Sequence, residues 1–247
     1  MSFKDYFSGH AQQYARARPS YPQDLFDYLF QVTIDHGAAW DCATGNGQTA
    51  VALASGFDTV IATDGSEQQI ANAKPHDNIE YRAAIAENSL LAPVSIDLVT
   101  VSQALHWFNL ELFFAEVDRV LKPGGVLAVW SYGIHSIDDY VDSVVDELYR
   151  VTLRDYWTGE RKMVEQGYSG IQFPFKALSP PELSMSVQWS QNQLEDYLRS
   201  WSATQKYQQD KGIDPVMMLS PALTEAWTGE LMQVRWPLTL IVRRKPV

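Results

Sequence analysis

From Trp40 to Trp130, short apolar runs alternate with segments whose apolar residues recur at helical spacing, the pattern of parallel strands joined by crossover helices. The runs predict strands near Ala38 to Cys42, Thr59 to Thr63, Ile79 to Ala83, Ile96 to Val101 and Val126 to Ser131, with Gln48 to Ser55 as the first intervening helix. Beyond His135 the pattern changes. Ile137 to Trp157 reads as a helix with a Val/Leu/Tyr stripe, and Gly159 to Pro181 is rich in glycine, proline and aromatics. Glu182 to Trp189 alternates like a strand, Gln191 to Gln209 reads as a helix, and Trp236 to Arg243 as a last strand. The expected class is α/β, doubly wound and Rossmann-like, and ligands in such sheets bind beyond the carboxyl ends of the strands. Asp41, Asp64, Ala84 to Glu87, Ser102 to Trp107 and Tyr132 to His135 all fall there.

Of these positions, Asp41-Cys-Ala-Thr-Gly-Asn-Gly47 carries the clearest chemistry. Gly45 and Gly47 permit a tight turn and close backbone approach, and the following helix turns its N-terminal amides toward the turn. Asp64 closes the next strand, where a carboxylate can accept hydrogen bonds from both hydroxyls of a ribose. Gly45-x-Gly47-x-x-Ala50 also fits the dinucleotide fingerprint. There, however, an anionic pyrophosphate rests on the helix N-terminus, and a carboxylate in the turn would repel it. Asp41 suits a ligand with a positive part instead, such as the amino and sulfonium groups of S-adenosylmethionine. Other readings stay open. Asp41 fits a turn aspartate, and Asp64 a cap on the helix Glu67 to Ala73.

With those residues in place the chain resembles the class I S-adenosylmethionine-dependent methyltransferases. Asp41 to Gly47 matches their first motif, with Ala43 where glycine is commoner, and Asp64 matches the ribose acid. Ala86-Glu87 resembles the adenine-contacting turn, Ile96 to Ser102 the fourth strand, and Leu121-Lys-Pro-Gly-Gly125 the turn into the fifth. Tyr14 to Pro22 and Gln103 to Phe108 resemble the branch of small-molecule enzymes that includes trans-aconitate methyltransferase. The resemblance implies a mostly parallel seven-stranded sheet with an antiparallel edge pair and a helical, aromatic cap insertion. It implies S-adenosyl-L-methionine as cofactor and S-adenosyl-L-homocysteine as product. Tyr14, Asp41, Ala43, Gly45, Gly47, Asp64, Gly65, Ala86, Glu87, Ser102 and Gln103 are the expected cofactor residues. His106 is the candidate base, and Arg18, Trp107 and Tyr132 are candidate acceptor contacts.

Length and composition fit this picture. A chain of 247 residues suits one domain. Within it, 1–37 would form a lid segment and first helix, 38–135 the cofactor core, 136–235 the cap and sixth strand, and 236–247 the last strand. A net charge of −11 repels phosphate backbones, so no nucleic-acid partner is expected. One cysteine, no leader and no long apolar stretch lead to the expectation of a cytoplasmic protein without a membrane partner. No metal is expected, because His10, His106 and His135 lack ligands at metal-site spacing. Cys42 reads as a small core hydrophobe, and Tyr207-x-x-x-Lys211 lacks the glycine-rich opening of the short-chain dehydrogenases whose dyad it matches. The cations Arg16, Arg18, Arg154 and Arg161 lie nearest in sequence to the expected roof of the mouth and favour a small carboxylate acceptor for O-methylation. Alternatives are N- or C-methylation of a metabolite or tRNA, and a binding protein that holds the cofactor without turnover.

Overall fold

The computed structural model describes residues 19–247. Eight strands, β1 (Ala38–Cys42), β2 (Thr59–Asp64), β3 (Ile79–Ala83), β4 (Ile96–Ser102), β5 (Leu121–Tyr132), β6 (Lys176–Leu178), β7 (Leu183–Trp189) and β8 (Met232–Arg244), form one sheet. Its order is β3-β2-β1-β4-β5-β8-β6, with β7 also on β8. The first five strands are parallel, and β8 is antiparallel to β5, β6 and β7. The chain winds outward from β1 to β3 on one side and from β4 to β5 on the other. The carboxyl ends of β1 and β4 therefore flank the crevice at which strand order reverses.

The central strands β1, β2, β4 and β5 are buried on both faces because both are covered. On one face Trp40, Val99, Val101 and Val129 pack with Phe113 and Val117 of α4 (Leu110–Val120). On the other, Ala39, Leu98 and Trp130 pack with Leu25 and Leu29 of α1 (Gln23–Val32) and Leu53 of α2 (Gln48–Leu53). The alternation of Ala39 with Trp40 and of Leu98 with Val99 is the period of two that places neighbours on opposite faces. α3 (Glu67–Ala71) follows β2 and is capped by Ser66, whose hydroxyl accepts the Gln69 amide. The N-cap of this helix is thus Ser66 rather than Asp64, whose carboxylate accepts the Ser66 amide just before it.

Past β5 the elements depart from expectation. The long helix from Ile137 is α5 (Asp139–Asp146), which loosens into a wide turn over Glu147–Thr152 and a 3-10 turn over Arg154–Tyr156. α6 (Arg161–Glu165) and β6 arise within the segment that read as irregular, and β6 makes the strand count eight rather than seven. Gln191 to Gln209 is two helices, α7 (Gln191–Arg199) and α8 (Ser202–Lys211). The break lies at Trp201, which is extended and only 6% exposed because its indole turns inward against Tyr149, Trp157 and Tyr197. α9 (Pro215–Ala226), started by Asp214 and Pro215, carried no recognised signal. β8 begins at Met232, four residues before its expected start. Pro237 is tolerated there because pairing with β5 starts only at Leu238.

The cap has its own core. Tyr149, Trp201, Tyr197 and Trp236 are buried together with Val141, Leu148, Leu194 and Leu223. The aromatics of the expected cap insertion thus pack largely on each other, while Phe173 and Phe175 join the sheet core and Tyr140 faces solvent. No helix of the described residues is long and apolar enough to cross a membrane.

Candidate active site

Asp41 sits at the end of β1 with no exposed surface. Its Oδ2 accepts the Thr44 hydroxyl at 2.5 Å and its Oδ1 the Thr100 hydroxyl at 2.8 Å. Burial raises its pKa from 3.8 to about 6 against those two donors, and the neighbouring Asp64 adds repulsion. A carboxylate held among neutral hydroxyls and a second acid has no cation of its own among the described residues, so it favours a positively charged ligand part.

Asp64 closes β2 and ties the adjoining turn together. Oδ2 accepts the Gly45 amide and Oδ1 the Ser66 amide, each at 2.9 Å. A carboxylate oxygen carries two lone pairs and can accept more than one donor. Gly45 and Gly47 both have left-handed backbones, with φ of 58° and 86°, but their surroundings differ. A Cβ on Gly45 would meet nothing within 4 Å among the described residues, whereas one on Gly47 would lie 2.4 Å from the Tyr81 hydroxyl. The turn is thus packed beneath Gly47 and open above Gly45, which is the cradle a nucleoside cofactor requires. Ala43 and Gln103 are left-handed without being glycine, at φ of 55° and 54°. Gln103 is held by hydrogen bonds from its amide to the Trp130 carbonyl and from Nε2 to the Tyr132 carbonyl, both 3.0 Å. Such strained positions persist where the surrounding structure over-determines them.

The rest of the expected set is spread around the same mouth. Ser102 ends β4 beside Thr49, Gly65 follows Asp64, and Ala86 is buried against the sheet core. Glu87 accepts the Asn109 amide at 2.7 Å and so links the turn after β3 to the start of α4. Tyr132 is buried in the cap core, and Trp107 is partly exposed beside the His106 ring. Tyr14 and Arg18 lie outside the described residues. Cys42 is fully buried, and Lys211 pairs with Asp210 at 3.0 Å on the exposed surface of α8.

His106 lies in the short turn after β4, and its Nδ1 is 3.1 Å from the Tyr168 hydroxyl. Burial, and then the charge of Arg161, lower its pKa to about 4, so the imidazole is neutral near pH 7. Arg161 on α6 stacks over Tyr149 at 5.5 Å and Trp157 at 5.1 Å, and its Nε donates to the Tyr149 hydroxyl at 2.9 Å. Tyr149 in turn donates to Glu165. Arg161 Nε also lies 3.9 Å from Glu165 Oε1, while its Nη groups hold no hydrogen bond among the described residues. Sequence reasoning had Arg161 only as one of four cations, and Tyr168 only as an aromatic; their meeting with His106 spans more than fifty residues of chain.

A Rossmann-like sheet with an acid-flanked glycine turn at its switch point defines a nucleotide-type cofactor site, and comparison with known proteins specifies it. Residues 40–129 match the family described as a methyltransferase domain. Over 98% of its length the chain is 33% identical to a Dictyostelium discoideum protein designated a methyltransferase, and it spans 96% of that protein. It is 25% identical to a Saccharomyces cerevisiae protein designated an S-adenosylmethionine-dependent methyltransferase, over 86% of this chain and 84% of that one. Among solved structures, a protein of Anaeromyxobacter dehalogenans designated a type II methyltransferase matches with a TM-score of 0.88 and 39% identity, covering 93% of this chain and 99% of that one. The chain belongs to the class I S-adenosylmethionine-dependent methyltransferases. It is an enzyme, and its cofactor is S-adenosylmethionine.

Proposed function

We propose that this methyltransferase acts on a small organic acceptor and transfers the methyl group to a carboxylate oxygen. The observation that carries the reading is Arg161. Its guanidinium is stacked on two aromatic rings, close enough to His106 and Tyr168 to act on both electrostatically, and its Nη donors are uncommitted among the described residues. A guanidinium so held suits bidentate contact with a carboxylate. The net charge of −11 supports a small acceptor over a nucleic acid. The resemblance of Gln103 to Phe108 to the trans-aconitate methyltransferase branch favours the same class, and the single buried cysteine accords with a cytoplasmic protein.

In this reading Asp64 holds the ribose hydroxyls, and Asp41 supplies negative charge beneath the methionine end. Gly45 and Gly47 allow close approach, Ala86 and Glu87 flank the adenine, and Ser102 and Gln103 border the sulfur side with Ala43 and Gly65. The bound cofactor supplies an activated methyl group, so the protein's task is to align the acceptor. Orientation of this kind is worth about 7 to 11 kcal/mol. His106, Trp107 and Tyr132 would face the acceptor with Arg161. Tyr14, Arg18 and the lid segment belong to the same proposal. The test is transfer of labelled methyl from the cofactor to a panel of small carboxylic acids, phenols, amines and bulk tRNA. Base-labile methyl esters are expected, and transfer to tRNA alone overturns the reading.

A further inference from the structure

We infer that Tyr168 is a positioning residue that holds His106 as the tautomer protonated at Nε2, so that His106 presents a hydrogen-bond donor to an acceptor that is already anionic. This rests on the carboxylate reading of the site and deepens it. It also changes the role of His106, which the sequence suggested as a base.

Tyr168 is 1% exposed and its ring lies in the sheet core. A buried phenol needs a partner for its proton. Three groups lie near. The His106 backbone amide can only donate to the phenol oxygen, and the Ser131 hydroxyl on β5 is buried and close enough to influence Tyr168 but is outside hydrogen-bonding geometry with any partner among the described residues. His106 Nδ1 at 3.1 Å is in geometry. The phenol therefore donates to Nδ1, which accepts only when unprotonated, and the one proton of a neutral imidazole then sits on Nε2. Burial pushes the Tyr168 pKa far above its ordinary value, so the phenol keeps its proton.

The backbone reinforces the arrangement. Gly167 and Tyr168 are consecutive left-handed residues, at φ of 57° and 58°, and a Cβ on Gly167 would press on Thr239 of β8 at 3.1 Å. A tyrosine in this conformation is costly unless its side chain is held in place. The turn after α6 closes tightly on the sheet and delivers the phenol to the histidine.

An imidazole protonated at Nε2, with its Nδ1 lone pair engaged by the phenol, turns no free lone pair toward the acceptor. It can orient an oxygen. With Arg161 beside it, the site selects an acceptor that arrives as an anion. A carboxylate oxygen forms the new O–CH3 bond as the methyl–sulfur bond breaks, and the bonding pair stays on sulfur. No proton has to leave the acceptor. Amines and phenols, which must lose one, are disfavoured by the same tautomer.

The test is nitrogen NMR of the 15N-histidine-labelled full chain, with the His106 signals assigned by difference from His106→Gln. The protein with bound S-adenosylhomocysteine should show Nε2 protonated and Nδ1 unprotonated for His106. In Tyr168→Phe this preference should be lost, and with a carboxylate acceptor kcat should fall by about tenfold at little change in KM. Protonation at Nδ1 in the wild type overturns the inference whatever the variant does, so a poorly folded variant leaves it exposed. An Nε2–H histidine that survives Tyr168→Phe unchanged also overturns it. The NMR result needs no acceptor. Transfer to amines or phenols alone would sink the carboxylate reading, and a base-dependent rise in that rate near neutral pH would sink the tautomer as well.

Discussion

Replacing Asp41 with asparagine should separate cofactor binding from stability in a way few substitutions do. Its carboxyl is fully buried, and its pKa is raised from 3.8 to about 6. A folded-state pKa above the unfolded one means that the protonated form is favoured by folding. The associated stability is fully present below about pH 4 and is lost as pH rises through about 6. The rise corresponds to about 3 kcal/mol, which wild type forgoes at pH 7. Asparagine carries no charge and keeps one acceptor for Thr44 and Thr100, at a cost of about 1 kcal/mol for the altered hydrogen bond. Chemical denaturation of the protein without cofactor should therefore show the variant less stable than wild type at pH 4. Between pH 4 and 7 the difference should shift by about 3 kcal/mol in the variant's favour. A cationic ligand reverses the balance. Cofactor binding favours the ionised carboxylate, so the wild-type dissociation constant should fall roughly tenfold from pH 5 to pH 7 with proton release. In Asp41→Asn binding should be flat over that range and weaker at pH 7 by about 1.5 to 3 kcal/mol. Isothermal titration in buffers of different ionisation enthalpy measures both. If Asp41→Asn retains the wild-type pH dependence, the charge sensed by the cofactor lies elsewhere.

Two further predictions concern neighbouring positions. Gly45→Ala should fold with a loss of about 1 to 2 kcal/mol for its left-handed backbone and should bind cofactor poorly, because its Cβ enters the open cradle. Gly47→Ala adds a collision with the Tyr81 hydroxyl and should cost about 1 to 3 kcal/mol more in thermal unfolding. Equal melting temperatures for the two would refute the distinction. His135 is buried among Tyr197, Trp201 and Trp236 with both ring nitrogens unpartnered among the described residues, and burial lowers its pKa from 6.5 to about 4. Stability held above pH 6.5 should thus be lost as pH falls from 6.5 toward 4, by about 3 kcal/mol for this residue. His135→Leu should remove that slope in denaturation curves, and an unchanged slope would assign it to other groups.

The parallel half of the fold was legible because β1, β2, β4 and β5 are buried on both faces and read as mostly apolar runs, whereas the edge strand β3 carries Glu80 and Arg82 and stays partly exposed. β1 and β3 fall at their expected bounds, and β2 and β4 extend one residue further. β5 begins five residues early, at Leu121, since Leu121 pairs with Ile96 before the Pro-Gly-Gly kink is passed. In the cap the determinants are tertiary. The stop between α7 and α8 is imposed by the burial of Trp201 in an aromatic cluster drawn from four separate segments, which no local window contains. The cofactor half of the candidate site had a local signature, two acids and two glycines within 24 residues of one another. On the acceptor half, His106 and Tyr168 are 62 residues apart, and their pairing depends on a turn whose conformation a tyrosine does not advertise.

The account stands most directly on the cofactor lying across the turn between Asp41 and Asp64. Titration of S-adenosylmethionine, S-adenosylhomocysteine and NAD into wild type and Asp64→Ala tests this in one experiment. The first two should bind wild type at one shared site and NAD should not compete. Loss of a charged acceptor for two ribose hydroxyls should weaken both ligands in Asp64→Ala by about 1.5 to 3 kcal/mol. Undiminished binding by that variant, or a preference of wild type for NAD, would contradict the assignment.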